Sequence, residues 1–224
     1  MKKRRKPSIP SNSTVYTVSF KDFYYTLKDA RKYPEIIKYL IAWFFFSDAL
    51  ATSSTLATLF ARVEIGLTSF ELALTILEVE LFAVLGAWFH LWLQRRLQWN
   101  CKQMLLYHII SYMVILLYAA IGTFNAIPIG LKTRPEMFIF AILYGFHFGS
   151  IQGYARALAS NLIPSEKENK IFAVIAITDR GSSWIGPLIT TFVSNKAGLR
   201  YALFYIITFY IIGIIIVYYI DLDK

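Results

Sequence analysis

Six long apolar stretches dominate this 224-residue chain and limit what it can fold into. Each is close to the ~20 residues that a helix needs to cross the hydrocarbon core of a membrane. Backbone N–H and C=O groups inside a bilayer must be paired within the protein, which favours helices. The sequence therefore predicts an all-α, polytopic membrane protein. Its six transmembrane helices are expected at residues 37–60, 69–93, 103–124, 136–162, 171–194 and 200–220.

The residues ahead of the first apolar stretch divide into two segments. Residues 1–14 are basic and contain two prolines and three serines, a composition typical of disorder. Residues 15–36 place aromatic side chains on one face of a helix and charged side chains on the other. Such a helix suits a membrane surface, and packing against a further domain is the alternative. Residues 221–224 form a short tail after the last predicted span.

The positions of lysine and arginine predict the orientation in the membrane. The net charge of +9 is compatible with nucleic-acid binding, but ten of the 23 basic residues lie within the first 38 residues. With the N-terminus in the cytosol, that side carries 16 basic residues and the opposite side five, while Arg156 and Arg180 lie within spans. By the positive-inside rule both termini are expected in the cytosol. The expected contact of the basic segment is the lipid bilayer, with no nucleic-acid partner.

The sequence offers no recognisable catalytic or cofactor site. It contains no nucleophile elbow, no zinc-protease motif and no phosphate-binding loop. The single cysteine, Cys101, excludes an internal disulfide. His90 and His108 lie at similar depth on neighbouring spans, where a histidine pair can hold haem or a metal. Because no further ligand accompanies the pair in the sequence, we predict neither a metal nor a cofactor, and no enzyme activity.

The stretch from residue 144 to 187 concentrates the unusual residues of the chain. Gly145, Gly149 and Gly153 recur every fourth residue, and such a face allows a neighbouring helix to approach closely. Charged side chains deep in an apolar segment are costly, so they usually face a partner or a water-filled path. Here they predict either a structural ion pair or a direct role with substrate. The residues concerned are Gln152, Arg156, Asp179 and Arg180.

The same stretch resembles the autophagy-related vacuolar effluxers of the major facilitator superfamily. The matching positions are Arg156, Pro164, Lys167, Glu168, Phe172, Arg180, Ser182, Ser183, Gly186 and Pro187. The resemblance implies the C-terminal, six-helix half of a twelve-helix facilitator, with the N-terminal half missing. It also implies export of amino acids such as leucine, isoleucine and tyrosine from the vacuole to the cytosol, by alternating access. A membrane remnant or assembly partner without transport activity is the alternative.

Other polar residues inside the spans are candidates for the substrate pathway or for ion coupling. Asp48 and Thr52 share a helix face, which suits either a cavity wall or hydrogen bonds between helices. Glu78 and Glu80 point about 200° apart, so both cannot line one cavity, and one of them is a candidate for proton coupling. Ser183 completes the set of candidates.

Arg156 and Asp179 are predicted to form an ion pair. They lie about 12 Å and 13 Å from the same ends of two consecutive antiparallel helices, so their depths match. Arg180 is about 100° around the helix from Asp179 and is expected to face the space between the two halves of a carrier. In the rival arrangement, Asp179 contacts the first or second span and Arg156 extends towards the cytosol.

Overall fold

The computed structural model describes residues 33–124, 128–164 and 167–222, and the part of the chain so described is helical. The predicted disordered segment 1–14 lies outside the described residues, as does nearly all of the predicted surface helix 15–36. Seven α-helices and one short 3-10 helix make up the described fold. They are α1 Pro34–Val63, α2 Ser69–Leu97, α3 Cys101–Ile121, α4 Arg134–Leu162, α5 Glu168–Ser182, α6 Ile185–Ala197, the 3-10 helix Leu199–Tyr201 and α7 Ala202–Tyr218.

The length and composition of these helices confirm an all-α polytopic membrane protein. Four segments are long and apolar enough to cross a bilayer, namely α1, α2, α3 and the segment Leu199–Tyr218. The helix α4 has 29 residues and so has the length of a span, and α5 and α6 together correspond to the fifth predicted span. The count of six spans stays a prediction.

The apolar surface of α2 indicates where lipid contacts the bundle. Large side chains on this helix are strongly exposed, among them Phe70, Leu77, Val84 and Trp88, the last at 75%. A soluble protein seldom leaves so large a contiguous apolar surface in water. Acyl chains are the natural neighbours of this face.

Capping residues explain where two of the membrane helices begin. Thr68 caps α2: its hydroxyl accepts the Glu71 N–H at 3.2 Å, and the Glu71 carboxylate accepts the Thr68 N–H at 2.7 Å. Asn100 and Gln103 form the same reciprocal pair at the start of α3, with both distances 2.9 Å. Each pair satisfies backbone donors that a helix start leaves free. The turn between α2 and α3 is therefore short and well defined.

The helices pack into a bundle in which α1 and α4 flank a partly open space. The most extensive packing joins α2 to α4 and α1 to α7, while α3 lies against both α4 and α7. The helix α5 packs against α1 rather than against α4. The consecutive helices α4 and α5 thus both contact α1, and the contact expected between them is not among the extensive ones of the described residues.

Glycines explain why α2 and α4 lie so close together. A Cβ atom on Gly145 would lie 2.8 Å from the Cα of Val79, and one on Gly149 would meet the backbone of Ala83. Gly86 on α2 fits in the same way against the backbone of Phe146. The predicted small-residue face therefore admits α2, but Gly153 has open space beside it and takes no part.

The fifth predicted span, residues 171–194, is divided instead of continuous. The helix α5 ends at Ser182 and α6 begins at Ile185. Pro187 gives the physical reason, because proline has no N–H and its ring clashes with the carbonyl four residues earlier, here Ser183. The break follows a polar run from Asp179 to Ser183 that lies between two apolar stretches.

Candidate functional site

Asp48 joins three helices at the break between α5 and α6. Its side chain is almost fully buried on α1. One carboxylate oxygen accepts the backbone N–H of Gly186 at 3.2 Å, and the other accepts the Tyr205 hydroxyl at 2.8 Å. Gly186 lies in the first turn of α6, where backbone N–H groups lack partners within the helix and favour a negative charge. Asp48 therefore caps α6 and links α1 to α7.

Thr52 lies one turn after Asp48 and forms the surface on which Gly186 rests. A Cβ atom on Gly186 would collide with the Thr52 hydroxyl oxygen and would lie 3.0 Å from the Asp48 carboxylate. The Thr52 hydroxyl is buried without a hydrogen-bond partner among the described residues. The predicted Asp48–Thr52 stripe thus contacts a helix terminus, and only glycine fits there.

A polar cavity of about 180 Å³ lies between α1, α4 and α5. It brings together three of the predicted site residues: Gln152 and Arg156 on α4, and Asp179 on α5. The α1 side of the cavity carries apolar and small side chains together with two hydroxyls. The remaining lining residues are Trp43, Ser47, Leu50, Ala51, Ser54 and Phe148.

Arg156 and Asp179 share this cavity, which the predicted ion pair requires. The Arg156 side chain is exposed and Asp179 is half-buried. Both side chains line the cavity, and their direct pairing stays a prediction.

A second, mostly apolar cavity of about 290 Å³ adjoins the first between α1, α2 and α4. The two cavities share Ser54 and Phe148. Glu80 lines the apolar cavity, and Glu78 is not among its lining residues, so the two carboxylates do point apart as expected. Glu78, one of the two candidates for proton coupling, has one buried carboxylate oxygen without a partner among the described residues.

The predicted residues at the helix break lie outside both cavities. Arg180 and Ser183 are exposed, and the Ser183 hydroxyl donates to the Arg180 carbonyl at 2.9 Å, which closes the end of α5. Pro164 follows the end of α4, and Pro187 lies in the first turn of α6. Ser183 and both prolines thus shape the chain next to the cavities rather than lining them.

Sequence reasoning missed two tyrosines that bind the polar residues of α1. Tyr205 donates to Asp48, and the Tyr144 hydroxyl lies 2.6 Å from that of Ser54. Each stands in an otherwise apolar or aromatic stretch, so hydropathy gives no reason to single it out. The useful signal was the position of Asp48, because a buried carboxylate needs donors from neighbouring helices.

Comparison with known families identifies the chain. A family described as "Vacuole effluxer Atg22 like" matches residues 1–224. The chain belongs to this family. Members include Autophagy-related protein 22 of Kluyveromyces lactis, which is 35% identical over 202 residues, covering 89% of this chain and 41% of that protein. The Pyricularia oryzae protein of that name is 33% identical over 216 residues, covering 94% of this chain and 32% of that protein.

A third Atg22 relative, from Saccharomyces cerevisiae, is 33% identical over 183 residues, which is 80% of this chain and 34% of that protein. The chain thus spans 32% to 41% of the length of these curated relatives. The family is an autophagy-related family of transporters of the vacuole membrane, as the resemblance in the sequence implied.

Proposed function

We propose that this chain forms one six-helix half of an exporter that moves amino acids from the vacuole to the cytosol. A second, N-terminal six-helix half would supply the opposite wall of the pathway. The observation that carries the proposal is the pair of adjoining cavities between α1, α2, α4 and α5, found in a chain of the vacuole effluxer family. Carriers of the facilitator type hold substrate between two such halves near the middle of the membrane.

The chemistry of the two cavities suits a zwitterionic substrate with an apolar side chain. Arg156 can receive an α-carboxylate, and Asp179 an α-ammonium group, by hydrogen bonds between charged groups. The adjoining apolar cavity can take the side chain of leucine, isoleucine or tyrosine. In this arrangement Ser54 and Phe148 lie where the substrate backbone meets its side chain.

The break between α5 and α6 also supports a transport role. Broken helices at membrane depth occur where they line a cavity or are buried in protein, and transporters use them at their substrate sites. Here the break lies next to Asp48. It begins at Ser183, four residues after Asp179. Movement of α5 relative to α6 would change the polar cavity directly.

Transport by a reassembled carrier tests this proposal. The chain is co-expressed with the part of the Kluyveromyces lactis relative that it does not cover, and leucine movement is measured in vesicles. We expect transport from the two parts together and none from this chain alone, because the site needs both halves. Absence of leucine transport from correctly assembled parts would favour the membrane remnant or assembly partner.

Substitutions in the polar cavity separate substrate binding from a structural ion pair. Arg156→Ala is expected to reduce leucine transport by at least about tenfold, since a charged hydrogen bond contributes about 1.5–3 kcal/mol. Asp179→Ala should do the same, and the double variant should be no better than either. Arg95→Ala, at the exposed end of α2, is the matched control and should transport normally. Recovery of transport in the double variant would show a structural pair instead.

The orientation of the chain is tested by tags at residue 10 and at the C-terminus. Because basic residues strongly favour one side, both tags should be cut by protease added to vesicles whose cytosolic face is outward. A tag within the vesicle lumen serves as the protected control. Protection of only one of the two tags would mean an odd number of spans and would contradict the six-helix half.

A further inference from the structure

All three histidines of this chain meet at one buried place. His90 comes from α2, His108 from α3 and His147 from α4. His90 and His108 are fully buried, and His147 is 8% exposed. His147 is 39 residues from His108 along the chain, and nothing in the sequence relates it to the other two. The fold adds the third ring from a helix that is distant along the chain.

The distances within this histidine cluster match those of a metal site. One ring nitrogen from each histidine can be chosen so that all three lie within 4.8 Å of one another. The Nδ1 atoms of His108 and His147 are 3.1 Å apart. Two nitrogens bound tetrahedrally to zinc lie about 3.3 Å apart, given Zn–N bonds of about 2.0–2.1 Å. Three imidazoles thus surround one point, and nitrogens that lie up to 4.8 Å apart would have to approach by about 1.5 Å to share one ion.

An unpaired nitrogen atom gives a second, independent indication of a ligand. The Nε2 atom of His90 is inaccessible to water and has no hydrogen-bond partner among the described residues. A buried, unsatisfied group of this kind is costly, and an ion that has not been placed is one explanation for it. The other nitrogen of His90, Nδ1, lies 3.2 Å from the Ser150 hydroxyl. This contact orients the ring so that Nε2 is the nitrogen left for a metal.

We propose that His90, His108 and His147 bind a zinc ion that links α2, α3 and α4. Imidazole nitrogens favour zinc and similar transition metals over magnesium or calcium, which prefer oxygen. Three histidines leave a fourth position for water. The site lies about 10 Å along the helices from the turn between α2 and α3, since His90 and His108 are each seven residues from that turn. It lies apart from the two cavities described above, and its role is to hold three helices together.

Histidine-selective NMR of the full chain tests this proposal directly. The protein is labelled with ¹⁵N-histidine, purified with a tag that contains no histidine, stripped with a chelator and titrated with Zn²⁺. Only three imidazoles contribute signals, because the chain has three histidines. We expect all three to shift together and to saturate at one zinc per chain, with a Kd of about 1 μM or tighter. Unchanged imidazole signals at excess zinc would overturn the proposal, and would show a hydrogen-bonded cluster without metal.

Variants identify the ligands independently of the spectra. His147→Ala removes a ligand and should weaken zinc binding at least about tenfold. Ser150→Ala should weaken it by no more than about 100-fold, because Ser150 acts only by orienting His90. Cys101→Ser is the matched control, because Cys101 offers a thiol at the start of α3. Full loss of binding in this control would contradict the three-histidine site. If His147→Ala does not fold, the titration of the unaltered chain still decides the question.

Discussion

Replacing Asp48 with alanine is expected to destabilise the folded chain by about 3 kcal/mol or more. The change removes the acceptor for two donors on different helices, the Gly186 N–H and the Tyr205 hydroxyl. Each buried donor left without a partner costs about 1–3 kcal/mol. The free energy of unfolding in detergent micelles measures the effect, and loss of contact between α1 and α6 should accompany it.

More conservative substitutions at the same junction distinguish the contributions of the two hydrogen bonds to stability. Tyr205→Phe removes only the bond from α7 and should cost about 1 kcal/mol. Asp48→Asn keeps one acceptor oxygen and should lie between Tyr205→Phe and Asp48→Ala. Ser47→Ala is the matched control. Ser47 precedes Asp48 on α1, and its hydroxyl is buried with no hydrogen-bond partner among the described residues. If Ser47→Ala were as damaging as Asp48→Ala, the hydrogen bonds would not explain the stability of this junction.

The sequence alone was sufficient for the class of fold and for part of the site. Runs of apolar residues with the length of a membrane helix predict helices directly, because the bilayer leaves few other structures. The polar residues Asp48, Gln152, Arg156 and Asp179 were singled out because charge and hydrogen-bonding groups are rare at that depth. Three of them do line one cavity, and Asp48 does contact a neighbouring helix.

The sequence failed where the answer depended on which helices touch. Matching depth along two consecutive helices suggested that α4 and α5 pack together, but depth does not specify a neighbour, and α5 lies against α1. For the same reason, the sequence did not predict that His147 lies close to the other two histidines. The break before α6 was available in principle from Pro187, whose ring excludes a continuous helix. The polar run from Asp179 to Ser183 gave a second signal at the same place.

Replacing the glycines at the contact between α4 and α2 is expected to have a second large effect on stability. Gly149→Ala places a Cβ atom against the backbone of Ala83 on α2, and backbone cannot move aside as a flexible side chain can. Overpacking of this kind costs about 1–3 kcal/mol, which exceeds the gain of up to about 1 kcal/mol from the better helix propensity of alanine. We expect a net loss of stability in unfolding experiments, and a similar loss for Gly86→Ala, which meets the backbone of Phe146.

Gly153→Ala is the matched control on the same helix, one turn after Gly149. It meets nothing within 4 Å, so only the gain in helix propensity applies and the chain should become more stable by up to about 1 kcal/mol. Equal effects of the two substitutions would mean that α2 and α4 are not held together by their glycines. The same control tests the proposed carrier: if Gly153→Ala stabilises this chain but blocks transport by the reassembled protein, the open space at Gly153 is a contact between its two halves.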